Sequence, residues 1–452
     1  MNCSAPVFRR TLLRRAVLTL LLLPLASSAT FAAETDTPLL RLQGSNTVNA
    51  RLGPRLVAGL LAERGYQQPQ TLPTGVMDEW RLVARTPDGS SASVQIAAHG
   101  TGTGFTALAN KTTDVAAASR PVTDAEATAL APLGDLRSRQ AEYVIALDGL
   151  AIIVHPGNPL RELDLQRLAQ IFAGDISDWQ QLGGQPGAIH LYARDDRSGT
   201  YDTFRELVLT PAGKRLSTQA KRYESNEELA EQVASDPAGI GFTSLAAAAK
   251  LPRLALRDGE GRAILPSEAS VATEDYPLAR RLFLYAPPNE RSDWVRSLLE
   301  FSQTPAGQNI VQQSGFVAQH IEPLRITDTQ GMPKAYADLA QRAQRLTVNF
   351  RFTAGSAQLD NKALRDVERL ADFMRLPENA NRRLVLAGFN DATEDPARAA
   401  LLARLRALAV ATALRHQKVF AADLLSLGDQ LPVAGLSPNG RVKNRRVEAW
   451  LQ

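Results

Sequence analysis

The 452-residue chain contains little sulfur and few aromatic side chains, which removes several kinds of site from consideration. Its single cysteine is Cys3, so the sequence excludes an intrachain disulfide and a cysteine-built metal centre. The five histidines show no ligand spacing with one another, and we therefore predict no metal site and no cofactor. The four tryptophans are scattered along the chain and offer no stacking platform for nucleic acid.

The chain also lacks a basic excess once residues 1–33 are set aside. It has 51 lysine and arginine residues against 47 acidic ones. Residues 1–33 contain Arg9, Arg10, Arg14 and Arg15 and no acidic residue, so the remaining chain has 47 residues of each sign. This balance gives no electrostatic reason for nucleic-acid binding, and we predict no nucleic-acid partner.

Residues 1–33 have the composition of an export signal. The arginines are followed by an apolar run, Ala16 to Leu25, and then by small residues up to Ala33. The run is too short to span a bilayer comfortably, and no later stretch is long and apolar enough for a transmembrane helix. We predict a cleaved signal peptide, with an uncleaved membrane anchor as the alternative. Arg14-Arg15 leaves the choice between the general secretory and twin-arginine routes open.

The remaining chain divides into two folded units. Residues 34–324 alternate short apolar strands with amphipathic helices, which predicts an α/β fold with mostly parallel strands. Residues 325–345 are polar and alanine-rich, and we interpret them as a linker that is partly helical. Residues 346–452 predict a small α+β unit: strands at 346–352, 383–387 and 442–450, a helix at 361–373, and a helix from an Asp395 cap to His416.

Three turns in the first unit share one chemistry, in which glycine and hydroxyl residues follow a predicted strand and precede a helix. The turns are Gly44–Thr47, Gly100–Gly104 and Arg194–Thr200, and the helix after the second is predicted at 105–108. Helix N-termini present unpaired N–H donors, and hydroxyls and a guanidinium add further donors. The carboxyl ends of strands in such a sheet are where ligands bind, so the turns predict an anion site.

Each of these turns also has interpretations other than an anion site. A single turn of this kind is usually only a helix cap. None of the three has the spacing of a Walker phosphate loop or completes a dinucleotide fingerprint. Ser198 has no evident histidine and aspartate partners, so a hydrolase triad is unsupported. We predict that the protein is not an enzyme.

Residues 40–321 resemble the PstS-like phosphate-binding proteins of ABC transporters. The resemblance is carried by the three turns and by Thr113–Pro121, Leu147–Val154, Ile171–Trp179, Gly239–Phe242 and Thr304–Gln308. It implies a two-lobed periplasmic-binding-protein fold of type II that closes on phosphate. The residues that it places at the phosphate are Ser45, Thr47, Thr101, Ser119, Arg120, Arg194, Asp196, Ser198, Gly199 and Thr200.

Two of these positions carry specific expectations from the resemblance. Asp196 matches the family's acid that pairs with the binding arginine, here Arg194. Ser119 stands where family members often have an aspartate that accepts a proton from monobasic phosphate. With Arg120 beside it, Ser119 is expected to shift preference toward a more charged oxyanion or to weaken phosphate selectivity.

Residues 346–451 are similar to the OmpA-like peptidoglycan-binding domain. The similarity lies in Phe352–Asp360, Val385–Asp391, Arg406-Ala407 and Arg441–Glu448. It implies that Asp391 and Arg406, with Arg446 nearby, bind the zwitterionic diaminopimelate of the wall stem peptide. The motif departs from the family at Phe389 and Asn390, and at Ala399 and Ala403, where the family has an asparagine and a serine. Fewer hydrogen bonds to the peptide are therefore expected.

Together these patterns predict a periplasmic receptor for phosphate or a similar oxyanion, held to the cell wall or outer membrane by its C-terminal domain. Phosphate, peptidoglycan and an ABC-transporter permease are the expected partners. The main alternative is a structural cell-envelope protein whose first domain binds another ligand or none. A third possibility, phosphoester chemistry in the cleft, lacks a metal constellation or an activated nucleophile.

Overall fold

The computed structural model describes residues 37–196, 198–352, 356–393 and 395–452. The predicted signal peptide and Arg197 lie outside the described residues, as do Thr353–Gly355 and Glu394. The strands are β1 Leu40–Gly44, β2 Gln67–Pro73, β3 Glu79–Arg85, β4 Ser91–Ala98, β5 Val115–Ala118, β6 Glu142–Val154, β7 Glu162–Asp164, β8 His190–Arg194, β9 Lys221–Tyr223, β10 Gly239–Ser244, β11 Ala255–Arg257, β12 Ala279–Tyr285, β13 Pro323–Leu324, β14 Gln344–Arg351, β15 Leu384–Gly388, β16 Ala421–Ser426 and β17 Arg446–Leu451.

The helices follow the same alternation. They are α1 Asn46–Asn49, α2 Leu52–Glu63, α3 Thr101–Ala109, α4 Asp124–Ala129, α5 Leu165–Ala173, α6 Gly199–Phe204, α7 Asn226–Ser235, α8 Glu268–Ala272, α9 Asp293–Phe301, α10 Pro305–Gln313, α11 Lys334–Arg342, α12 Asn361–Arg375, α13 Pro396–His416 and α14 Pro438–Asn444. Within the described ranges no helix combines the length and apolar character needed to cross a bilayer.

A long central strand joins two lobes in the first domain. The ten-stranded sheet has the order β2-β3-β4-β1-β5-β12-β6-β10-β8-β9. The first part of β6 pairs with β12, and its last part, from Leu150 to Val154, pairs with β10. We define lobe 1 as residues 38–149 and 279–320, and lobe 2 as residues 150–278. Each lobe has its own hydrophobic core, so β6 and β12 are the strands on which one lobe meets the other.

Local sequence explains why these strands and helices form. β6 reads as an apolar run and is buried along nearly its whole length, as expected for a central strand covered on both faces. Thr123 and Glu126 form a reciprocal capping box at the start of α4. The predicted cap of α13 is confirmed, because Asp395 accepts from the backbone N–H groups of Ala397 and Arg398.

The C-terminal domain, residues 322–452, is a five-stranded sheet of order β13-β14-β17-β15-β16 packed against helices. Two predictions about it need correction. The predicted linker 325–345 belongs to the folded domain, because Tyr336 and Leu339 of α11 are fully buried beside Trp450. The predicted strand 442–450 begins only at Arg446, because a Ser437 cap starts helix α14, which runs to Asn444.

Buried charges connect the C-terminal domain to lobe 2. The Asp275 carboxylate forms ion pairs with Arg345 at 2.6 Å and with Arg351 at 3.3 Å, and all three side chains are at most 5% exposed. Glu274 receives Arg281 at 2.9 Å and Lys362 at 3.4 Å. Burial works to raise the pKa of Glu274, but Arg281 and Lys362 outweigh it and lower that pKa to about 2.

Acid is therefore expected to destabilise the protein through Glu274. Its folded pKa lies below the ordinary value of 4.5, so its stabilising contribution is present above pH 4.5 and is lost as the pH falls toward 2. A shift of this size corresponds to about 3 kcal/mol. Urea unfolding at several pH values between 7 and 2.5 measures it. Glu274→Gln should flatten the acid limb of that profile, and identical limbs for variant and parent would contradict the assignment.

Candidate functional site

Lobe 1 brings two of the predicted turns together at one end of its sheet. The backbone N–H of Gly100 donates to the carbonyl of Gly44 at 2.9 Å, which holds the first and second turns side by side. Gly100 has φ +104° and caps α3, which begins at Thr101 rather than at Phe105 as predicted. The glycine-rich stretch is therefore the first turn of a helix. This turn packs closely against β1, and a Cβ on Gly104 would block that contact.

Hydroxyl groups form the wall of lobe 1. The hydroxyls of Thr101 and Ser119 lie 3.1 Å apart, and the Ser119 N–H donates to the Thr101 hydroxyl at 3.0 Å. Ser45 is buried beside them, and its N–H donates to Ala117 of β5 at 2.9 Å. Because each of these groups is fixed by the sheet or by its neighbour, the wall is preorganised for a polar ligand.

These side chains line a cleft between the lobes with a volume of about 760 Å³. Ser45, Thr101, Ser119 and Arg120 line its lobe 1 side, with His99 at the rim bonded to Glu79 at 3.0 Å. The lobe 2 side is formed by Asp202, Arg205 and Glu206, none of which was predicted.

Both arginines of the cleft are already paired with carboxylates. Arg120 makes a two-pronged contact with Glu126 at 2.8 Å for each nitrogen. Arg205 contacts Asp202 at 2.8 Å. Burial raises the pKa of Asp202, partly offset by Arg205. The cleft therefore offers hydroxyls and carboxylates rather than uncompensated cations.

The structure identifies Arg280 as a residue of this region that the sequence reasoning missed. Its guanidinium donates to the Thr47 hydroxyl at 2.8 Å and to the Gly199 carbonyl at 3.1 Å. It also pairs with Asp148 at 3.1 Å and with Glu206 at 3.2 Å, and its side chain is 6% exposed. The available signal was two adjacent arginines, Arg280-Arg281, in an otherwise apolar strand.

Thr47 and Gly199 meet directly where the lobes touch. A Cβ on Gly199 would stand 2.4 Å from the Thr47 hydroxyl and 2.7 Å from its Cα, so only glycine fits there. The hydroxyl of Ser198 accepts from the Thr200 N–H and caps α6, and Ser198 itself is buried. These predicted contact residues therefore cluster with Arg280 rather than on the cleft wall.

Arg194 and Asp196 are placed differently from the prediction. Arg194 donates to the carbonyls of Tyr223 at 3.1 Å and Glu224 at 2.5 Å and is not among the cleft-lining residues. Asp196 pairs with Arg222 at 2.6 Å instead of with Arg194. The predicted Asp196–Arg194 pair is thus wrong, because the adjacent strand β9 supplies a partner to each residue.

The C-terminal domain gathers a second group of predicted residues. Asp391 pairs with Arg441 at 3.0 Å and lies 3.8 Å from Arg445. Arg406 is buried and contacts the Asn390 side chain. Burial, followed by the charge of Arg445, lowers the pKa of Arg406 to about 10, while Asp391 acts to raise it. Arg406 thus stays charged at neutral pH within the electrostatic range of Asp391.

Arg446 does not belong to this group as predicted. Its side chain is 1% exposed, pairs with Glu448 at 3.0 Å and stacks on Phe389 at 3.8 Å from the ring centre. Its guanidinium is engaged by Glu448 and by the Leu431 carbonyl, so Arg446 supports the core. The cations that accompany Asp391 are Arg441 and Arg445 instead. In the described part of the chain, no group of three or more His, Cys, Asp or Glu side chains is arranged to hold a metal.

Comparison with known proteins identifies relatives of both domains. Residues 74–305 match the family model described as PBP superfamily domain, and residues 351–446 match the OmpA family. Protein SphX of Synechococcus elongatus is 33% identical over 237 residues, which cover 50% of this chain and 68% of that protein. The phosphate-binding protein PstS of Borreliella burgdorferi is 26% identical over 233 residues, covering 50% of this chain and 80% of that one.

A solved structure of a phosphate transport receptor also resembles this chain. An ABC-type phosphate transport receptor from Vibrio cholerae aligns with 62% of this chain and 99% of its own, at 20% identity and a TM-score of 0.48.

Proposed function

The chain belongs to the PBP superfamily, and from that premise we propose that it binds phosphate or a similar oxyanion in the periplasm while anchored non-covalently to peptidoglycan. The observation that supports this most directly is the wall formed by Ser45, Thr101 and Ser119 at the N-terminus of α3. Fixed hydroxyl donors beside a helix N-terminus suit an anionic guest, and several relatives are named phosphate-binding proteins.

The carboxylates of lobe 2 favour phosphate over sulfate within this proposal. Asp202 and Glu206 face the cleft from the side opposite the hydroxyl wall. Phosphate keeps a proton near neutral pH and can donate it to a carboxylate, whereas sulfate has no proton to donate and is repelled. This differs from the expectation based on Ser119, because acceptors from lobe 2 take the place of the aspartate that Ser119 replaces.

Calorimetry with inorganic phosphate tests the hydroxyl wall. Thr101→Val keeps the shape of the side chain and removes a hydroxyl that faces the ligand and also accepts from the Ser119 N–H. A lost hydrogen bond to a charged group costs about 1.5–3 kcal/mol, or about 10- to 150-fold in affinity. Thr128→Val changes an exposed threonine of α4 outside the cleft and should bind like the parent.

The outcomes of this titration separate the rival functions. Parent protein that binds neither phosphate nor sulfate would favour the structural envelope alternative. If the parent binds phosphate and Thr101→Val binds it equally well, the ligand does not contact the wall. Arg194→Ala would then test the phosphate contact predicted for Arg194. Release of product from a chromogenic phosphoester would favour an enzyme, which we do not propose.

The C-terminal domain supplies the proposed anchor, through Asp391 and Arg406. Buried charges fasten this domain to the receptor domain, which favours a wall-fixed scavenger or sensor over a freely diffusing carrier. Delivery to an ABC-transporter permease is the alternative fate of the ligand. Phosphate uptake by cells that carry the full chain, with and without Asp391→Asn, distinguishes a fixed receptor from a mobile one.

A further inference from the structure

The C-terminal domain contacts both lobes of the receptor domain. Its helix α12 lies against lobe 1, while β14 and α14 lie against lobe 2. Between these contacts Asp360, the N-cap of α12, forms an ion pair with Arg281 of β12 at 2.8 Å. The docked domain therefore spans the place where the two lobes join.

The contact with lobe 1, which we call the lobe 1 arm, is made by two arginines of α12. Arg365 donates to the carbonyl of Glu142 at 2.9 Å and to that of Arg139 at 2.6 Å. Arg369 donates to the Gln319 side chain at 2.8 Å. These bonds join guanidinium groups to the backbone and side chains of lobe 1, so they fix position as well as distance.

The contact with lobe 2, the lobe 2 arm, includes the ion pairs of Arg351 and Lys362 given above and three further polar side chains. Arg345 pairs with Asp275 at 2.6 Å, and Asn349 donates to the same carboxylate at 2.9 Å. Lys443 donates to the Tyr276 carbonyl at 2.8 Å. Burial lowers the pKa of Lys443 to about 8, which leaves it mostly charged at neutral pH.

Both arms arise from one hydrophobic core. Leu346, Val348 and Phe350 of β14 pack in the same cluster as Val367 and Leu370 of α12. A packed core transmits displacement rather than absorbing it, so the two arms cannot move independently. A charge left behind in either buried arm would lack a partner, which opposes partial release.

We infer that the C-terminal domain has a second function besides wall binding: it is a brace that fixes the angle between the lobes. Two lobes joined by crossing strands otherwise move by hinge bending. The brace holds only while both arms are attached. The inference concerns the chain without ligand and does not depend on which anion, if any, the cleft binds.

Distances between labels on the two lobes test the brace in the full chain without ligand. Cys3 is the only native cysteine, so Cys3→Ser with Ala129→Cys on α4 and Glu231→Cys on α7 gives one exposed label position on each lobe. Pulsed electron resonance then reports the distribution of interlobe distances. Arg365→Met with Arg369→Gln removes both arginines of the lobe 1 arm. Arg345→Met with Lys443→Met removes two cations of the lobe 2 arm. Either change alone should broaden the distribution at least twofold.

The variant with both arms changed should show a distribution no broader than that of either single-arm variant, because a brace fails when one end is free. Arg375→Ala is the matched control, since that arginine lies on α12 but contacts Asp372 and Gln417 within its own domain. Should the lobe 1 variant fail to fold, Arg369→Gln alone weakens the same arm from a more exposed position. Parental widths in both single-arm variants, or broadening from one arm only, would overturn the inference.

Discussion

Replacing Asp275 with alanine is expected to lower the free energy of unfolding by about 3–5 kcal/mol, because removing one member of a buried ion pair leaves the other charge uncompensated. Asp275 is 2% exposed and receives Arg345, Arg351 and Asn349 of the C-terminal domain. Burial works to raise the pKa of Asp275, but Arg345 and its neighbours outweigh it and hold that pKa well below the ordinary value. The carboxylate is therefore ionised throughout the neutral range, and its loss leaves Arg345 and Arg351 buried without this counter-charge.

Urea unfolding at pH 7 measures this change, with Asp293→Ala as the matched control. Asp293 also contacts two arginines, but its side chain is 59% exposed, and exposed pairs contribute at most about 1 kcal/mol. We expect the Asp275 variant to unfold first at the C-terminal domain, which tryptophan fluorescence from Trp450 can follow. A loss no larger than that of the control would refute a stabilising role for the cluster.

Peptidoglycan retention is expected to fall by about 30- to several thousand-fold when Arg406 is replaced by methionine, and by a similar factor in Asp391→Asn. Truncating one partner of a buried, hydrogen-bonded charge contact costs about 2–5 kcal/mol. A stem-peptide zwitterion needs one group of each sign, so neither residue can substitute for the other. Sedimentation of the full chain with purified peptidoglycan measures the retained fraction.

Arg404→Met is the control for this experiment. Arg404 lies on α13, two residues from Arg406, and faces solvent, so its loss changes the net charge by the same amount without touching the buried group. Thermal melts should show that the variants remain folded. Equal retention of parent, Arg404→Met and Arg406→Met would remove Arg406 from the proposed anchor.

Much of the architecture could be predicted from the sequence, because it depends on local patterns. The Asp395 cap and the strand-to-helix turns each follow from residues close together in the chain. The strand predicted at 442–450 failed on equally local grounds, since the Ser437 cap starts a helix that alternating polarity does not reveal. The linker prediction was wrong because the few apolar residues of this segment, such as Tyr336, lie on one face of a short helix and are buried.

The candidate site could be predicted only in part. Ser45, Thr101 and Ser119 share the cleft because β1, β4 and β5 run parallel and the turns at their ends meet there. The partners of Arg194 and Asp196 come from β9, and no spacing in the sequence indicates that pairing. Arg280 and the interface of the C-terminal domain were missed for the same reason: a buried ion pair needs residues far apart in the chain to be known as neighbours.

The short passage from lobe 1 into the C-terminal sheet has a geometric consequence. The chain leaves lobe 1 after His320 and enters β13 at Pro323, and Glu322 already bonds to Thr347 of β14. When the C-terminal domain binds through Asp391 and Arg406, this short connection would not let the receptor domain rotate relative to it. The cleft would therefore keep one orientation relative to the domain that carries Asp391 and Arg406.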